Sequence, residues 1–248
     1  MSNVFISGVS DGIGFALATL YLKKGWTVFG TSRRRPEVLC KNKRFIFKKC
    51  DLLCSDEITN LFNEEFMLIP KEGISIIYLN AGISGNVPAR AEEFSIDEIN
   101  QVLSVNVISN KLLLDIFLNL SVRPEIVVIS ASIAGLRFRA GMLPYSLSKA
   151  ALLALCGVYA QENPDIFFAV IGMCNVRTKL SNNIIFNPRV SEFPEHIRLK
   201  ERFLSPGYVV SPEKRASDVF NIIHSRYHEV LTSGQFIDIR EIPKLSIK

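Results

Sequence analysis

The chain has 248 residues, of which 48% are apolar and 21% are charged. This composition excludes intrinsically disordered, collagen-like and low-complexity proteins, and the length predicts one domain or at most two. The 29 Lys and Arg residues modestly exceed the 24 Asp and Glu residues, which favours anionic ligands without indicating nucleic acid.

Short apolar runs rich in β-branched residues alternate with longer helical patterns. The first run, Val4 to Ser7, precedes a helical pattern over Phe15 to Lys24, and a further helical pattern covers Ile58 to Leu68. Three later runs are apolar throughout, which is typical of strands buried on both faces of a parallel sheet. They cover residues 75–79, 126–130 and 167–171. Parallel neighbours need crossover connections, so the pattern predicts an α/β fold with a doubly wound, mainly parallel sheet and helices on both faces.

The segment Gly8-Val9-Ser10-Asp11-Gly12-Ile13-Gly14 lies between the first predicted strand and the first predicted helix. At such a junction, backbone N–H groups and the positive end of the helix bind the pyrophosphate of a dinucleotide. Glycines allow this because they adopt positive φ and let the backbone approach the ligand closely. We interpret Gly8, Ser10, Asp11, Gly12, Ile13 and Gly14 as a cofactor turn, with an ordinary glycine-rich turn as the alternative.

The second predicted strand ends in Gly30-Thr31-Ser32-Arg33-Arg34, where a dinucleotide site selects the ribose of its adenosine. An acidic residue there would bind a free 2′-hydroxyl, whereas Ser32 followed by Arg33 suits a 2′-phosphate that pairs with the guanidinium. This sequence favours NADPH over NADH, and solvated surface arginines are the alternative. Asp51 and Leu52 after the third strand are candidate adenine contacts. A turn or helix-capping role is the competing interpretation of Asp51.

Tyr145 and Lys149 lie four residues apart at the start of a helical pattern over Ala150 to Gln161, so their side chains project from one helical face. A lysine ammonium beside a phenol favours the phenolate, which lowers the pKa of the tyrosine and makes it a usable general acid. A tyrosine and a lysine at this spacing also occur by chance in many helices. The pair alone therefore leaves a purely structural interpretation open.

Five features together resemble the short-chain dehydrogenase/reductase family in its single-domain form, over nearly the whole chain. They are the turn Gly8 to Gly14, Asn80-Ala81-Gly82 after the fourth strand, Asn106 in the following helix, Ser132 after the fifth strand, and Tyr145 with Lys149. Ser132 precedes Tyr145 by thirteen residues, the usual separation in the family, which selects Ser132 rather than Ser130 as the catalytic serine. The resemblance implies a Rossmann-type fold with a seven-stranded sheet, formed by residues 1–248 as one domain.

The resemblance further implies hydride transfer between a nicotinamide cofactor and a carbonyl or alcohol. Ser132 would hydrogen-bond the carbonyl oxygen and Tyr145 would protonate it, while Lys149 would lower the pKa of Tyr145 and hold the cofactor ribose. Asn106 would hold the helix and the water path that resupplies the proton. Cofactor contacts expected from the family pattern are Asn80, Ala81, Gly82, Tyr145, Lys149, Val176 and Thr178.

Two departures from the family pattern affect the cofactor site. Met173-Cys174 follows the sixth strand where the family usually has Pro-Gly, so the turn before Val176 and Thr178 is expected to differ. Asp11 stands where NADPH-preferring members often carry a basic residue, so Arg33 must supply most of the selectivity. We predict a preference for NADPH and leave NADH open as a second cofactor.

The segment Ser233 to Glu241 resembles the end of the sepiapterin and benzil reductase type, whose members reduce compact ketones and diketones with NADPH. Ile133 and Met142 are predicted to contact such a substrate together with Ser132 and Tyr145, and core packing is the alternative for the two apolar residues. Prolines and asparagines at about 179–210 break any long helix. We expect this irregular segment to form a substrate lid.

Cysteine usage and the N-terminus bear on location. The five cysteines show no C-x-x-C pair, and Met1 leads almost directly into the first strand without a secretory signal. No apolar stretch is expected to reach the roughly 18 residues that span a membrane. We therefore expect a cytoplasmic protein with no membrane or nucleic-acid partner. The three histidines lack metal-ligand spacing, so we predict no metal site, and we expect His224 and His228 to be exposed.

The leading hypothesis is an NADPH-dependent carbonyl reductase acting on a small-molecule substrate. A catalytically silent dinucleotide-sensing or partner-binding protein is the main alternative, although it would not need the whole set of four catalytic groups. A reductase of a sugar or polysaccharide precursor is a further alternative. The apolar stripes at 112–120 and 152–158 indicate core packing first, and the resemblance adds a homodimer or homotetramer interface.

Overall fold

The computed structural model describes residues 2–62, 73–225 and 227–242. Its strands are β1 (Asn3–Ser7), β2 (Thr27–Ser32), β3 (Phe45–Lys49), β4 (Ile76–Leu79), β5 (Ile126–Ala131), β6 (Phe167–Gly172) and β7 (Phe236–Asp238). These seven strands form one sheet in the order β3-β2-β1-β4-β5-β6-β7, and every neighbouring pair is parallel. The predicted Rossmann-type fold is confirmed, with a sheet that is entirely parallel.

The connections between the strands are mostly helical. The helices are α1 (Gly12–Lys23), α2 (Glu37–Cys40), α3 (Ser55–Thr59), α4 (Ile96–Leu103), α5 (Ser109–Leu118), α6 (Leu143–Glu162), α7 (Lys179–Ile185), α8 (Pro194–Leu204), α9 (Pro212–Ile223) and α10 (Tyr227–Val230). Helix α3 and a 3₁₀ turn at Asn60–Phe62 cover the beginning of the helix predicted over Ile58 to Leu68. The remainder of that helix lies outside the described residues.

Alternate side chains along each strand enter two separate apolar cores. In β1, Val4 and Ile6 pack in the core that contains α1 and α9, whereas Phe5 packs in the core that contains α5 and α6. All three side chains are fully buried. Because successive strand residues point to opposite faces and both faces are covered, the strands are apolar throughout, as the sequence predicted.

The strand order reverses at β1, which pairs with β2 on one side and with β4 on the other. At such a switch point the chain segments that leave adjacent strands diverge, and a crevice opens outside the carboxyl ends of the strands. The glycine turn leaves β1 at this point and Asn80 follows β4. The sheet therefore brings two of the predicted cofactor segments to the same crevice.

Asn106 fastens the loop after β4 to the helical layer. It lies in a π-helical turn, Ser104–Ile108, between α4 and α5, a distortion often found at functional sites. The fully buried side chain accepts the Ile83 backbone N–H at 2.8 Å and donates to the Ile83 carbonyl at 2.8 Å. It also donates to the Ser148 hydroxyl of α6 at 2.9 Å. One amide thus joins a loop and two helices.

Two helical segments are longer and more apolar than the sequence analysis expected. Ile96–Leu118, which joins α4, the π turn and α5, and Leu143–Glu162 could each cross a membrane by length and composition alone. The expectation that no apolar stretch reaches this length is therefore wrong. Both segments contribute buried side chains to the core, among them Leu113 and Leu152, which accounts for their apolar composition. Core helices pass the same test, so the finding is weak evidence for a membrane.

The segment 179–210, expected to be irregular, is largely helical. It contains α7, a 3₁₀ turn at Pro188–Glu192 and α8. Two of its prolines occupy first helical positions, where the missing N–H needs no partner and the fixed φ favours a helix start. The prolines therefore divide the segment into short helices instead of leaving it without regular structure.

His196 is buried, whereas His224 and His228 are exposed as expected. The ring lies on α8 without solvent exposure, and its Nε2 hydrogen-bonds the Ala140 carbonyl at 3.0 Å. His224 is exposed as a residue, yet its Nε2 lies 2.9 Å from the Tyr21 hydroxyl. Burial lowers the pKa of both rings. A helical face of mixed composition gave no signal that the imidazole at 196 points inward.

We predict that Asn106→Ala lowers the free energy of unfolding by about 3 kcal/mol, because it leaves a buried N–H and a buried carbonyl of Ile83 without partners. Urea unfolding measures the change. Asn119→Ala, which removes an amide at an exposed helix end, is the matched control and should cost well under half as much. Equal losses in the two variants would contradict a clamping role for Asn106.

We predict that the free energy of unfolding falls as the pH is lowered from about 7.5 to about 5.5. His196 and His224 have lower pKa values in the folded protein than in the unfolded chain. As the pH falls, the unfolded chain therefore binds protons before the folded protein does, and this stabilises the unfolded state relative to the folded one. His196→Gln should reduce this dependence in urea titrations at the two pH values, whereas His228→Gln, at an exposed position, should retain it. A pH dependence that is unaltered in His196→Gln would refute the assignment.

Candidate active site

The glycine turn packs tightly between β1 and the loop after β4. Gly8 has a φ of 77° and donates its N–H to the Thr31 carbonyl of β2 at 2.8 Å. A Cβ on Gly14 would lie 2.3 Å from the Gly8 carbonyl oxygen and 2.6 Å from Asn80 Nδ2, so no side chain fits there. Ser10 and Ile13 lie half-buried in the same turn. This packing places the N-terminus of α1 at the crevice, where helical N–H groups lack intrahelical partners.

Asp11 caps α1 and lies between two basic side chains. Its Oδ1 accepts the Gly12 N–H at 2.7 Å, and its Oδ2 lies 2.7 Å from Lys179 Nζ and 3.8 Å from Arg34 Nη2. The hydrogen bond from Lys179, aided by the Gly12 N–H and the nearby positive charges, lowers the pKa of Asp11 against the opposing effect of burial. The carboxylate that appeared unfavourable for a 2′-phosphate is therefore paired with positive charge.

Ser32 and Arg33 lie at the end of β2 beside this turn. The buried Ser32 hydroxyl donates to the Arg34 carbonyl at 2.7 Å. Arg33 is exposed and makes no hydrogen bond or ion pair within residues 2–62, 73–225 and 227–242. Arg35, by contrast, lies 3.7 Å from Glu37. Of the three consecutive arginines, Arg33 is the one whose guanidinium has no partner in that part of the chain.

Asp51 and Leu52 follow β3 and are half-buried. Asp51 Oδ1 accepts the Leu53 N–H at 3.1 Å, and the Asp51 N–H donates to Glu57 Oε2 at 2.7 Å. These bonds correspond to the turn role that was the competing interpretation of Asp51. An adenine contact by either residue stays a prediction.

Asn80 joins the ends of three adjacent strands. Its Nδ2 donates to the Ser7 carbonyl of β1 at 3.2 Å, and its Oδ1 accepts the Ser130 hydroxyl of β5 at 3.1 Å. The Ser7 hydroxyl accepts the N–H groups of Asn80 and Ala81 at 3.0 and 3.1 Å. A Cβ on Gly82 would lie 3.2 Å from Asn106 Oδ1, so this loop also packs against the clamp. The carboxyl edge of the sheet is thereby held rigidly.

The structure brings Ser132, Tyr145 and Lys149 together. Ser132 caps a 3₁₀ turn after β5, with its hydroxyl accepting the Ala134 N–H at 3.2 Å, and it lies close enough to the Tyr145 phenol to lower its pKa. Lys149 Nζ lies 5.7 Å from the centroid of the Tyr145 ring. Asn106 reaches the same helix through Ser148, the residue before Lys149. All four catalytic candidates therefore belong to one connected region.

The pKa of Tyr145 changes in the direction opposite to the expected one. The pKa of Tyr145 is raised to about 12, mainly because the phenol is buried. Ser132 lowers the pKa by a smaller amount than burial raises it, and Cys174 raises it further. Burial lowers the pKa of Lys149 to about 8. Lys149 Nζ donates to the Ser130 carbonyl at 2.8 Å, at the end of β5. The prediction that Lys149 lowers the pKa of Tyr145 is therefore wrong, and at neutral pH the phenol is protonated.

Two predicted substrate residues lie near the two ends of the segment between Ser132 and Tyr145. Ile133 is half-buried directly after Ser132. Met142 precedes α6 and is buried in a small apolar cluster, against which Tyr145 packs. The other buried members of this cluster are Val87, Ala89, Phe94 and Ile184. An apolar wall therefore adjoins the phenol.

Val176 and Thr178 lie on the loop between β6 and α7. Thr178 caps α7, and a Cβ on Gly12 would lie 3.4 Å from Thr178 Cγ2, so this loop approaches the glycine turn. Val176 is buried and forms a parallel bridge with Val210. Asn175 adopts a φ of 53°, in the left-handed region. The crevice is thus enclosed by the loop that replaces the usual Pro-Gly turn.

The residues that hold this loop were not predicted from the sequence. Cys174 Sγ donates to Asp238 Oδ2 at 3.0 Å, and the Cys174 carbonyl accepts Arg215 Nη2 at 2.9 Å. Asp238 and Arg215 are buried, and Arg240 lies 2.5 Å from Asp238 Oδ2. A proline-glycine pair could not make the thiol bond. An aspartate inside the apolar run of β7 was the available signal, since buried carboxylates need partners.

Comparisons with known proteins identify the family of this chain. The model of the short chain dehydrogenase family matches residues 2–185. An NADPH-dependent 3-dehydrocapnine reductase from Ornithobacterium rhinotracheale is 28% identical over 176 residues, which are 65% of this chain and 60% of the relative. An NADPH-dependent pterin aldehyde reductase from Arabidopsis thaliana is 29% identical over 164 residues, which are 64% of this chain and 68% of the relative. The first alignment thus spans less than two thirds of the relative's length.

The fold agrees with solved structures over a larger share of the chain. A short chain dehydrogenase/reductase from Saccharomyces cerevisiae superposes with a TM-score of 0.83 at 21% identity, covering 99% of this chain and 98% of that one. This likeness concerns the fold alone. The family match over 2–185, the parallel sheet and the clustering of the motif residues lead to one conclusion: the chain belongs to the short chain dehydrogenase family.

Proposed function

We propose that the chain is an NADPH-dependent oxidoreductase that reduces a ketone or aldehyde, and oxidises the alcohol in the reverse direction, with Tyr145 as general acid and base. The observation that carries this proposal is the position of Ser132 next to Tyr145, beside the buried side chain of Lys149. Two hydroxyl groups that converge beside a crevice can bind and protonate an oxygen that gains negative charge.

The residues around the crevice fit a phosphorylated dinucleotide. The close contact of Gly14 with Gly8 leaves the backbone of the turn accessible, and the exposed Arg33 guanidinium suits a 2′-phosphate. NADPH bound there would supply the hydride. The residues that would hold it are the turn from Gly8 to Gly14, Ser32, Arg33, Asp51, Leu52, Asn80 to Gly82, Tyr145, Lys149, Val176 and Thr178.

The chain's own residues would handle the proton. Ser132 donates a hydrogen bond to the carbonyl oxygen, and Tyr145 gives its phenolic proton to that oxygen as negative charge develops. The raised pKa of Tyr145 keeps the proton in place until then. Lys149 then stabilises the phenolate electrostatically and holds the ribose, while Asn106 keeps the loop after β4 fixed against α6.

The apolar wall supports a compact, partly apolar substrate. Met142 lies in the apolar cluster against which Tyr145 packs, and Ile133 directly follows Ser132. The pterin aldehyde reductase among the relatives agrees with the resemblance to the sepiapterin type. A reductase of a sugar or polysaccharide precursor and a silent dinucleotide sensor are the alternatives that substrate profiling separates. The apolar wall favours the carbonyl reductase over the first, and the connected catalytic groups favour it over the second.

We also propose that residues 1–248 act as one domain in which the segment 179–210 is a lid over the substrate. Two polar contacts connect the lid to the loop after β4. Asn187 Nδ2 donates to the Val87 carbonyl at 3.2 Å, and Arg189 lies 2.7 Å from Glu93. Contacts of this kind can break and re-form as a substrate enters.

We further propose that the chain forms a homo-oligomer in the cytoplasm. Leu147 and Val158 of α6 and Ile108 in the π turn are exposed, and such apolar residues support a homodimer or homotetramer through these helices. All five cysteines are free thiols, which supports a reducing compartment and hence a cytoplasmic location.

We predict that Tyr145→Phe lowers kcat for the reduction of benzil by NADPH about 100- to 10,000-fold, because the phenol supplies the proton. The oxidation of NADPH, followed by its absorbance, measures the rate, and NADPH binding should persist. Tyr227→Phe is the matched control, since Tyr227 packs on Phe167 at the opposite end of β6. Full turnover by Tyr145→Phe would refute the proposed role.

We predict that Arg33→Ala lowers the ratio of kcat/KM for NADPH to kcat/KM for NADH by about 10- to 100-fold, because one charge-assisted contact to the 2′-phosphate is lost. Steady-state kinetics with both cofactors give the ratio. Arg35→Ala is the control, because Arg35 already has Glu37 as a partner. An unchanged ratio in Arg33→Ala, or an equal change in Arg35→Ala, would contradict the assignment.

A further inference from the structure

The turn after β6 contains a residue in an uncommon backbone conformation. Asn175 has a φ of 53°, in the left-handed region that residues other than glycine rarely adopt. Such a conformation persists where the surrounding structure holds it, and it occurs often at functional sites. The Asn175 carbonyl accepts the Val210 N–H at 2.9 Å, which fixes the turn on one side. The preceding residue, Cys174, fixes it on the other.

Cys174 connects the turn to β7 and α9. Its Sγ donates to Asp238 Oδ2 at 3.0 Å, and only 2% of the Asp238 side chain is exposed. Arg240 also binds this carboxylate, with its backbone N–H and its Nε at 3.0 and 2.9 Å from Asp238 Oδ1. The Cys174 carbonyl accepts Arg215 Nη2 at 2.9 Å. Residue 174 is therefore held through its side chain and through its backbone.

The hydrogen bond between Cys174 and Asp238 is charge-assisted at neutral pH. Burial alone would raise the pKa of Asp238, but hydrogen bonds, above all those from Arg240, outweigh it and lower the pKa to about 2. Burial raises the pKa of Cys174 to about 11, and the bond to Asp238 acts in the same direction. The thiol therefore keeps its proton and donates a hydrogen bond to an ionised carboxylate.

The loop that begins at this turn reaches both the cofactor turn and the catalytic phenol. A Cβ on Gly12 would lie 3.4 Å from Thr178 Cγ2, so the loop approaches the glycine turn. A few residues further on, Leu180 and Ile184 of α7 belong to the apolar cluster against which Tyr145 packs. The loop therefore runs between the proposed pyrophosphate site and the phenol. The part of a dinucleotide that lies between these two points is its nicotinamide half.

We propose that Cys174 is a positioning residue for the nicotinamide half of the cofactor. Its hydrogen bond to Asp238 fixes the turn at Asn175. The turn then determines where Val176 and Thr178, two of the proposed cofactor contacts, lie along the crevice. A proline would restrict such a turn through its ring, whereas here a side-chain bond to β7 does so. This inference deepens the proposed function and rests on it.

The test compares NADP⁺ with adenosine 2′,5′-bisphosphate, which has the adenosine and the 2′-phosphate but no nicotinamide. In calorimetric titration, Cys174→Ala should raise the dissociation constant of NADP⁺ about five- to tenfold and change that of the bisphosphate less than about twofold, because one charge-assisted bond behind the nicotinamide is lost. Cys174→Ser retains a donor and should restore most of the affinity for NADP⁺. A merely structural defect would weaken both ligands equally.

Two further variants control the assignment. Cys40→Ala removes another half-buried thiol, which packs against the core that contains α1 and α9, and should leave both dissociation constants unchanged. Asp238→Asn removes the charge of the acceptor and should weaken NADP⁺ selectively. Adding Cys174→Ala to Asp238→Asn should then have little further effect, because both substitutions act on the same hydrogen bond.

The outcomes separate this inference from the proposed function. If Cys174→Ala weakens NADP⁺ selectively but NADPH reduces no ketone or aldehyde, the positioning role stands and the reductase function fails. If NADPH reduces benzil while Cys174→Ala binds NADP⁺ as tightly as the wild type, or loses both ligands equally, the reductase function stands and the positioning role is refuted. A selective loss that Cys174→Ser does not restore would also refute it.

Discussion

The site depends on how a lysine ammonium is accommodated inside the protein at the carboxyl edge of the sheet. Lys149 is buried, and a buried charge is tolerated only when polar groups surround it. Its Nζ donates to the Ser130 carbonyl, the Ser130 hydroxyl donates to Asn80, and Asn80 in turn holds the end of β1. This hydrogen-bonded chain crosses β5, β4 and β1 and ends where the glycine turn begins. The catalytic and cofactor segments therefore share one rigid support.

The sequence predicted the parts of this arrangement that depend on residue type and spacing. Apolar runs marked the doubly covered strands, and the interval from Ser132 to Tyr145 marked two side chains that the fold brings next to each other. The partner of Lys149 could not be predicted, because a main-chain carbonyl such as that of Ser130 has no residue-type signature. The pKa of Tyr145 was predicted in the wrong direction because the degree of burial depends on tertiary packing, which a four-residue spacing does not contain.

Charge pairing across the crevice was equally invisible in the sequence. Asp11 and Lys179 are separated by most of the chain, yet their side chains meet at 2.7 Å because the loop after β6 closes on the glycine turn. The same loop is held from behind by Asp238 and Arg215, which reach Cys174 from β7 and α9. Long-range contacts of this kind decide which charges are already paired and which, such as that of Arg33 among the described residues, are left for a ligand.

Deuterium labelling tests most directly whether this crevice is a reductase site. NADPH that carries deuterium at C4 of the nicotinamide is incubated with the protein and benzil, and the label is located in the product. If the crevice transfers hydride, the product carries one deuterium at the carbinol carbon, delivered from one of the two C4 positions and not from the other. No deuterium then enters that carbon from D₂O when unlabelled NADPH is used. Tight binding of NADPH without labelled product from benzil, or from any other ketone or aldehyde tested, would contradict the account and favour a dinucleotide-sensing protein.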